Sequence, residues 1–292
     1  MPSRVAVACI FAFWLVTTGY IAYRDVWPRV FASGPPPVSI ELADEARQNV
    51  PARWTLYRNG QKAGRLTTQM KYLDAEDTFQ FTYRYSELTL EQADITLTAS
   101  EAVSEVRMSR AGDLKGQTMS AKVKVLYRGA ELAQGTIDVR GEVANGVLTG
   151  RGEMKSGLLN AVGDLDPVPV PPGGQPLNPL QPVNRLGGVS GGRRWIVHES
   201  NPLQDAVADL VRKKVAEFGV RFQEQRAREQ LVAQVDRSPQ NLNWKGEDVS
   251  CWVIEYRRAE PVARTWVRVS DGKVLRQEAF EKGESLFFER ED

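Results

Sequence analysis

The stretch from Gly135 to Lys155, GTIDVRGEVANGVLTGRGEMK, constrains the fold more than any other part of the chain. Asn145-Gly146 lies at its centre and suits a type I′ turn, whose two central residues both need positive φ. With that dipeptide as the loop, Val143 falls opposite Leu148, Gly141 opposite Gly150, Val139 opposite Gly152 and Ile137 opposite Met154. Side chains alternate along a strand, so all of these share one face. The other face receives Asp138, Arg140, Glu142, Thr149, Arg151 and Glu153. One apolar face and one charged face describe an antiparallel sheet wetted on one side.

The pattern recurs along most of the chain. Arg53–Arg58 and Gln61–Leu73 flank a second hairpin turn, Asn59-Gly60. Asp77–Ser86 alternates strictly, with Phe79, Phe81, Tyr83 and Tyr85 in one row. Ile95–Ser100 alternates again, and Glu101–Arg110 reads as a weaker strand. In Ala121–Arg128 the apolar row is Ala121, Val123, Val125 and Tyr127. A one-residue slip would move that whole row to the wrong face. The spacing therefore predicts a three-residue loop, Gly129–Glu131, with Val123 opposite Ile137, or a bulge with the same effect.

Asp164–Val183 (DLDPVPVPPGGQPLNPLQPV) is so rich in Pro and Gly that no regular structure is expected there. Gly187–Arg194 continues as a flexible connection and Trp195–Glu199 as a short strand. Asn201 as N-cap and Pro202 as first helical residue start a helix. Its apolar residues Leu203, Val207, Leu210, Val211, Val215 and Phe218 recur at helical spacing. Leu231–Val235 reads as a strand. Val249–Arg257 is apolar on both faces and reads as an interior strand. Thr265–Val269 and Val274–Phe280 flank Asp271-Gly272, with Val269 expected opposite Val274, and Leu286–Arg290 closes the sheet.

The N-terminus is different in kind. Val5–Tyr23 runs for 19 residues without a charge, between Arg4 and Arg24. A membrane core of about 30 Å takes about 20 helical residues. Tyr20, Tyr23 and Trp27 cluster at the far end, where aromatic rings favour the headgroup level. An uncleaved signal-anchor, a cleaved signal peptide and a buried core helix all compete here. Val30-Phe31-Ala32 resembles a cleavage site, but Arg24, Asp25 and Arg29 separate it from the apolar run, which favours the anchor. The remaining chain is then expected outside the cytoplasm. Residues 1–32 form the anchor and juxtamembrane segment. Residues 33–50 form a spacer, with a stiff Ser33–Pro37 and a short helix at Ile40–Gln48. Residues 51–292 form the β-rich domain, its halves 51–163 and 184–292 joined by linker 164–183.

The inventory for catalysis is thin. The formal net charge is +1, from 38 basic and 37 acidic residues without single-sign blocks, so a nucleic-acid surface is not indicated. His198 is the only histidine. It sits in a predicted strand without an evident nucleophile. Cys251 sits mid-strand among Val249 and Val253, as a small buried residue does. Gly188–Gly192 (GVSGG) spells a nucleophile elbow around Ser190, but that motif needs a strand before it and a helix after it. Here a Pro-rich linker precedes and a strand follows. No metal or cofactor motif with convincing spacing is present. The row Phe79, Phe81, Tyr83 and Tyr85 reads either as core or as the lining of a groove for an apolar ligand. Gly141, Gly150 and Gly152 on the same face point to a bend or a close backbone approach.

Two segments carry a family resemblance: Arg53–Thr67 (RWTLYRNGQKAGRLT) and the ending Cys251–Arg290, with TWVRVSDGKVLRQEAF and LFFER. They resemble bacterial exported β-rich proteins and the non-catalytic segment that accompanies transglutaminase-like proteins. That resemblance implies a relative of the lipoprotein-carrier half-barrel, a curved antiparallel sheet with helices over its concave face. Transglutaminase activity is not implied, because that triad runs Cys, His, Asp, whereas here the only histidine precedes Cys251 and no catalytic domain is present.

The expected fold is mainly β with minor α: a single curved antiparallel sheet or half-barrel with one amphipathic helix, preceded by an N-terminal transmembrane helix. The expected function is that of a single-pass, membrane-anchored, non-enzymatic envelope protein without cofactor. Its sheet would bind an apolar ligand, such as a lipid, or a partner protein. A scaffold with a filled core is the alternative, and an envelope serine hydrolase a distant one.

Overall fold

The computed structural model describes residues 4–21, 50–92, 94–109, 113–157, 160–170, 182–197, 202–203, 206–207, 209, 231–281 and 284–292. The first half of the sheet contains β1 (Ala52–Arg58), β2 (Gln61–Leu73), β3 (Thr78–Gln92) and β4 (Ile95–Ser109). It continues with β5 (Leu114–Tyr127), β6 (Ala130–Ala144), β7 (Val147–Ser156) and β8 (Asn160–Pro169). The second half contains β9 (Arg194–Val197), β10 (Leu231–Val235), β11 (Gln240–Trp244) and β12 (Glu247–Arg257). β13 (Pro261–Arg268), β14 (Val274–Glu281) and β15 (Glu284–Arg290) complete it.

All 15 strands belong to one antiparallel sheet, in the order β8-β7-β6-β5-β4-β3-β2-β1-β15-β14-β13-β12-β10-β9, with β11 beside β12. Its two halves meet where the first strand pairs the last, Trp54 opposite Arg290 and Leu56 opposite Phe288. The path is open, since β8 and β9 end it without pairing each other. The sheet nevertheless curls enough for Leu148 and Leu165 near one edge to share a contiguous core with Trp195 and Leu231 near the other.

The defining hairpin has the register its turn demands. Asn145 (φ 52°) and Gly146 (φ 72°) form the loop. All four pairs from Val143–Leu148 to Ile137–Met154 are present. Val139 is buried, and Ile137 and Val143 pack against the core, while Arg140 and Glu142 are exposed. Asn59-Gly60 turns likewise between β1 and β2.

Elsewhere the structure corrects the expectations. The β5–β6 turn has two residues, Arg128-Gly129, and a bulge between Val125 and Leu126 restores the face, so Ala121 rather than Val123 opposes Ile137. Ile95–Ser100 and Glu101–Arg110 are one strand, β4, kinked by a register shift between Ala99 and Glu101. β3 continues past Ser86 to Gln92. Val267, not Val269, opposes Val274: Leu275 is an extra residue in β14 at the register shift, and Val269 lies in the turn. A further hairpin joins β11 to β12 and turns at Lys245-Gly246, both with positive φ. Residues 164–169 of the expected linker form more than half of β8, with Leu165 opposite Gly150 and Val168 opposite Leu148. Pro167 and Pro169 are tolerated because β8 is an edge strand, where a missing N–H interrupts no further ladder.

At the N-terminus, α1 (Arg4–Ile21) is helical, with exposed Phe11, Phe13, Trp14, Leu15 and Val16. No helix among the described residues is long and apolar enough to cross a membrane, so the expected span is not shown. Ser33–Pro37, Ile40–Gln48, His198 and the expected helix beyond residue 209 lie outside the described residues. Pro202, Leu203, Ala206, Val207 and Asp209 are helical, and Leu203 and Ala206 join the core.

Candidate functional site

Pairing in antiparallel strands places partners on the same face, so the register generates rows that run across the sheet. One inner row is Thr68, Tyr83, Ser104, Met119, Val139 and Gly152. Beside it run Met70, Phe81, Val106, Gln117, Gly141 and Gly150. The aromatic quartet therefore occupies the middle of the inner face. Phe79, Phe81 and Tyr83 are 3%, 8% and 1% exposed and belong to the main core, while Tyr85 is half-buried and packs against it. Tyr72 leans on Phe79 at a centroid distance of 5.1 Å. The Tyr83 hydroxyl is buried and has no hydrogen-bond partner among the described residues. Burial, with Tyr85 beside it, raises its pKa far above the usual tyrosine value.

Among the described residues, two pieces of chain pack on this face. The Leu203 amide donates to Gln117 Oε1 at 3.2 Å, which pins the helical residues onto β5. Val183 and Leu186 pack against the core as the chain crosses toward β9. That crossing is held by a buried polar relay. The Trp54 indole N–H donates to Thr68 Oγ1 (3.0 Å), and the Thr68 hydroxyl donates to Asn184 Oδ1 (2.6 Å). The Asn184 carbonyl accepts from Arg290 Nη1 (2.9 Å) and from the Val274 amide (3.0 Å). Arg290 is 6% exposed, pairs with Asp292 at 3.1 Å and lies 5.5 Å from the Trp54 ring centre.

The glycines on the inner face are explained by approach. A side chain at Gly150 would run into the Arg140 carbonyl, and one at Gly141 would press on Leu148. β6 and β7 are thus drawn together where the sheet coils.

The remaining sequence candidates stay apart. Ser190 is exposed in a loop that leads into a strand, so the strand-to-helix context of a nucleophile elbow is missing. Cys251 is fully buried on the outer face beside Leu242 and Leu275, and burial pushes its thiol up to about 11, against a lowering influence of Arg268. A thiol so placed is a poor nucleophile near neutral pH. Among the described residues no cluster of His, Cys, Asp and Glu could hold a metal ion.

On the outer face, β4 to β8 carry an open hollow of about 560 Å³. Lys122, Thr136, Lys155 and Asn160 stand in line across its floor, each opposite the next in the register. Ser100, Gln134 and Ser156 complete its polar wall, with Gly135, Gly157 and Val162. Nothing in the local sequence brings Lys122 and Lys155 together, since only the pairing of three strands does so.

No family model matches the chain, and neither does any curated protein. The resemblance to transglutaminase-associated segments and lipoprotein carriers therefore finds no support there. Among solved structures, a match is the crystal structure described as a beta-barrel-like protein of domain of unknown function DUF1849 from Brucella abortus. It is 12% identical, covers 82% of this chain and 94% of its own, and superposes with a TM-score of 0.35.

Proposed function

We propose that this chain is a non-enzymatic β-scaffold of the cell envelope, held at a membrane by its N-terminal apolar segment and acting through binding. The observation that carries the scaffold reading is the burial of the inner row. Phe79, Phe81 and Tyr83, which could have lined an apolar groove, are buried, and Leu203, Ala206, Val183 and Leu186 pack with them in one core. Membrane attachment is supported by α1, which is apolar around its circumference and exposes Phe13 by 72% and Val16 by 70%. Such a helix gains by burial in a core or a bilayer. The buried thiol of Cys251 and the context of Ser190 give no support to nucleophilic catalysis.

Alkaline carbonate washing of membranes from cells expressing the intact chain tests the attachment. Retention in the pellet is the expected result, and release into the supernatant would overturn it. Native mass spectrometry of the intact chain, extracted in mild detergent, tests the scaffold. The bare chain mass is expected. A specific observation favours the second reading, an apolar ligand with one polar group: the Tyr83 hydroxyl is buried and unpaired among the described residues. An apolar adduct that disappears in Tyr83→Phe would establish that reading instead.

A further inference from the structure

We infer that the outer hollow over β4–β8 is a binding site for a phosphate ester carried on a hydroxyl-bearing body, such as a glycerol phosphate or a phospholipid headgroup. The backbone makes the concavity. Ser100 is the extra residue at the register shift in β4, which bends that strand. Gly135 lets β6 lie so close to β7 that any side chain would collide with the Lys155 carbonyl. An outer face that should be flat is folded into a hollow of about 560 Å³, within the usual size of small-molecule sites.

The lining then selects the ligand. Its charged residues are Lys122 and Lys155, with no carboxylate among them. Neighbouring strands lie about 4.8 Å apart, so the two lysines rise roughly 10 Å from each other with Thr136 between them. Two flexible ammonium groups at that spacing can close on one oxyanion from both sides, and the Thr136 hydroxyl can donate to it from below. Among the described residues Lys122 has no ion-pair partner, although Glu101 lies opposite it in the register. Lys155 is held only by Glu153 at 2.5 Å, an exposed pair that is cheaply exchanged. Asn160 accepts the Ser156 amide with Oδ1 at 3.2 Å, which leaves its own N–H groups to donate to ligand hydroxyls. This site stands apart from the inner face and does not depend on what fills that face.

The test uses the full chain in neutral detergent, titrated with glycerol 3-phosphate, and the full chain mixed with phosphatidylcholine vesicles with or without phosphatidylglycerol. Each measurement is repeated on Lys122→Gln, on Lys155→Gln and on Lys124→Gln, a nearby lysine paired with Glu131 outside the lining. Attachment through α1 is common to all variants and cancels between them. Saturable binding that weakens about tenfold or more in Lys122→Gln and Lys155→Gln, but not in Lys124→Gln, is expected. If it occurs with glycerol 3-phosphate, a free phosphate ester suffices, and if only with phosphatidylglycerol vesicles, the headgroup is the source. Absence of binding to both, or equal weakening by Lys124→Gln, would overturn the site, because diffuse positive charge would then explain whatever is seen.

Discussion

Replacing Thr68 by Val tests the relay that fastens the crossing chain to the seam between the first and last strands. The substitution keeps shape and removes one hydroxyl. Two bonds go with it: the acceptor for the Trp54 indole at 3.0 Å and the donor to Asn184 Oδ1 at 2.6 Å. Trp54 is 0% exposed, so no water can replace its lost partner. Orphaning a buried group costs about 1–3 kcal/mol, and Asn184, only half-buried, recovers part of its share from solvent. The expected loss is about 2–4 kcal/mol. For a sheet of this size that lowers Tm by roughly 4–15 °C. Urea unfolding should show a reduced midpoint at unchanged slope, since the same surface is exposed. Thr55→Val supplies the reference: its hydroxyl donates to Glu291 at 2.7 Å in an exposed setting and should matter by no more than about 0.5 kcal/mol. If Thr68→Val and Thr55→Val prove equal, the relay does not hold the crossing, and the argument from buried polar pairing fails.

Leu148→Ala, at a 0% exposed position inside the defining hairpin, should cost about 2–5 kcal/mol in the same unfolding assay. Gly150→Ala should cost about 1–3 kcal/mol and clearly more than Gly141→Ala. The added carbon meets backbone at Gly150 but only the movable Leu148 side chain at Gly141. Alkaline stability should fall above about pH 9: burial raises Cys251 to about 11 and Tyr256 to about 12, so the unfolded chain releases protons that the folded chain retains. Cys251→Ala should flatten the profile between about pH 9 and 11, measured as urea midpoint against pH, and an unchanged slope would refute the assignment.

The N-terminal residues and the inner face raise different questions, and they are separable by experiment. Carbonate retention reports on α1 alone, whereas the mass of the extracted chain reports on the enclosed aromatic row. Neither result reports on the outer hollow, whose lysines lie on the opposite face of the sheet from the aromatic row.

Several features were decided by the chain before it folds. Asn145-Gly146 demands positive φ at two successive residues, and that requirement sets the register of β6 against β7 pair by pair. The alternation of Val139 with Arg140 determines which face is buried, because the strand period is two. Tertiary structure decided the rest, and the reason is range. Pro167 and Pro169 argue against a strand locally, yet they fit β8 because that strand lies at the edge, a position no local pattern encodes. The bulge at Val125–Leu126 kept the expected face while shifting the expected pair, since two different turns satisfy the same alternation. Phe79, Phe81, Tyr83 and Tyr85 were legible as one apolar row, but only the crossing of residues 182–187 and the helical residues from Pro202 shows that protein covers it. Lys122 and Lys155 were invisible as a pair, because the registers of two successive hairpins, one of them shifted by a bulge, had to be set before their charges shared one hollow.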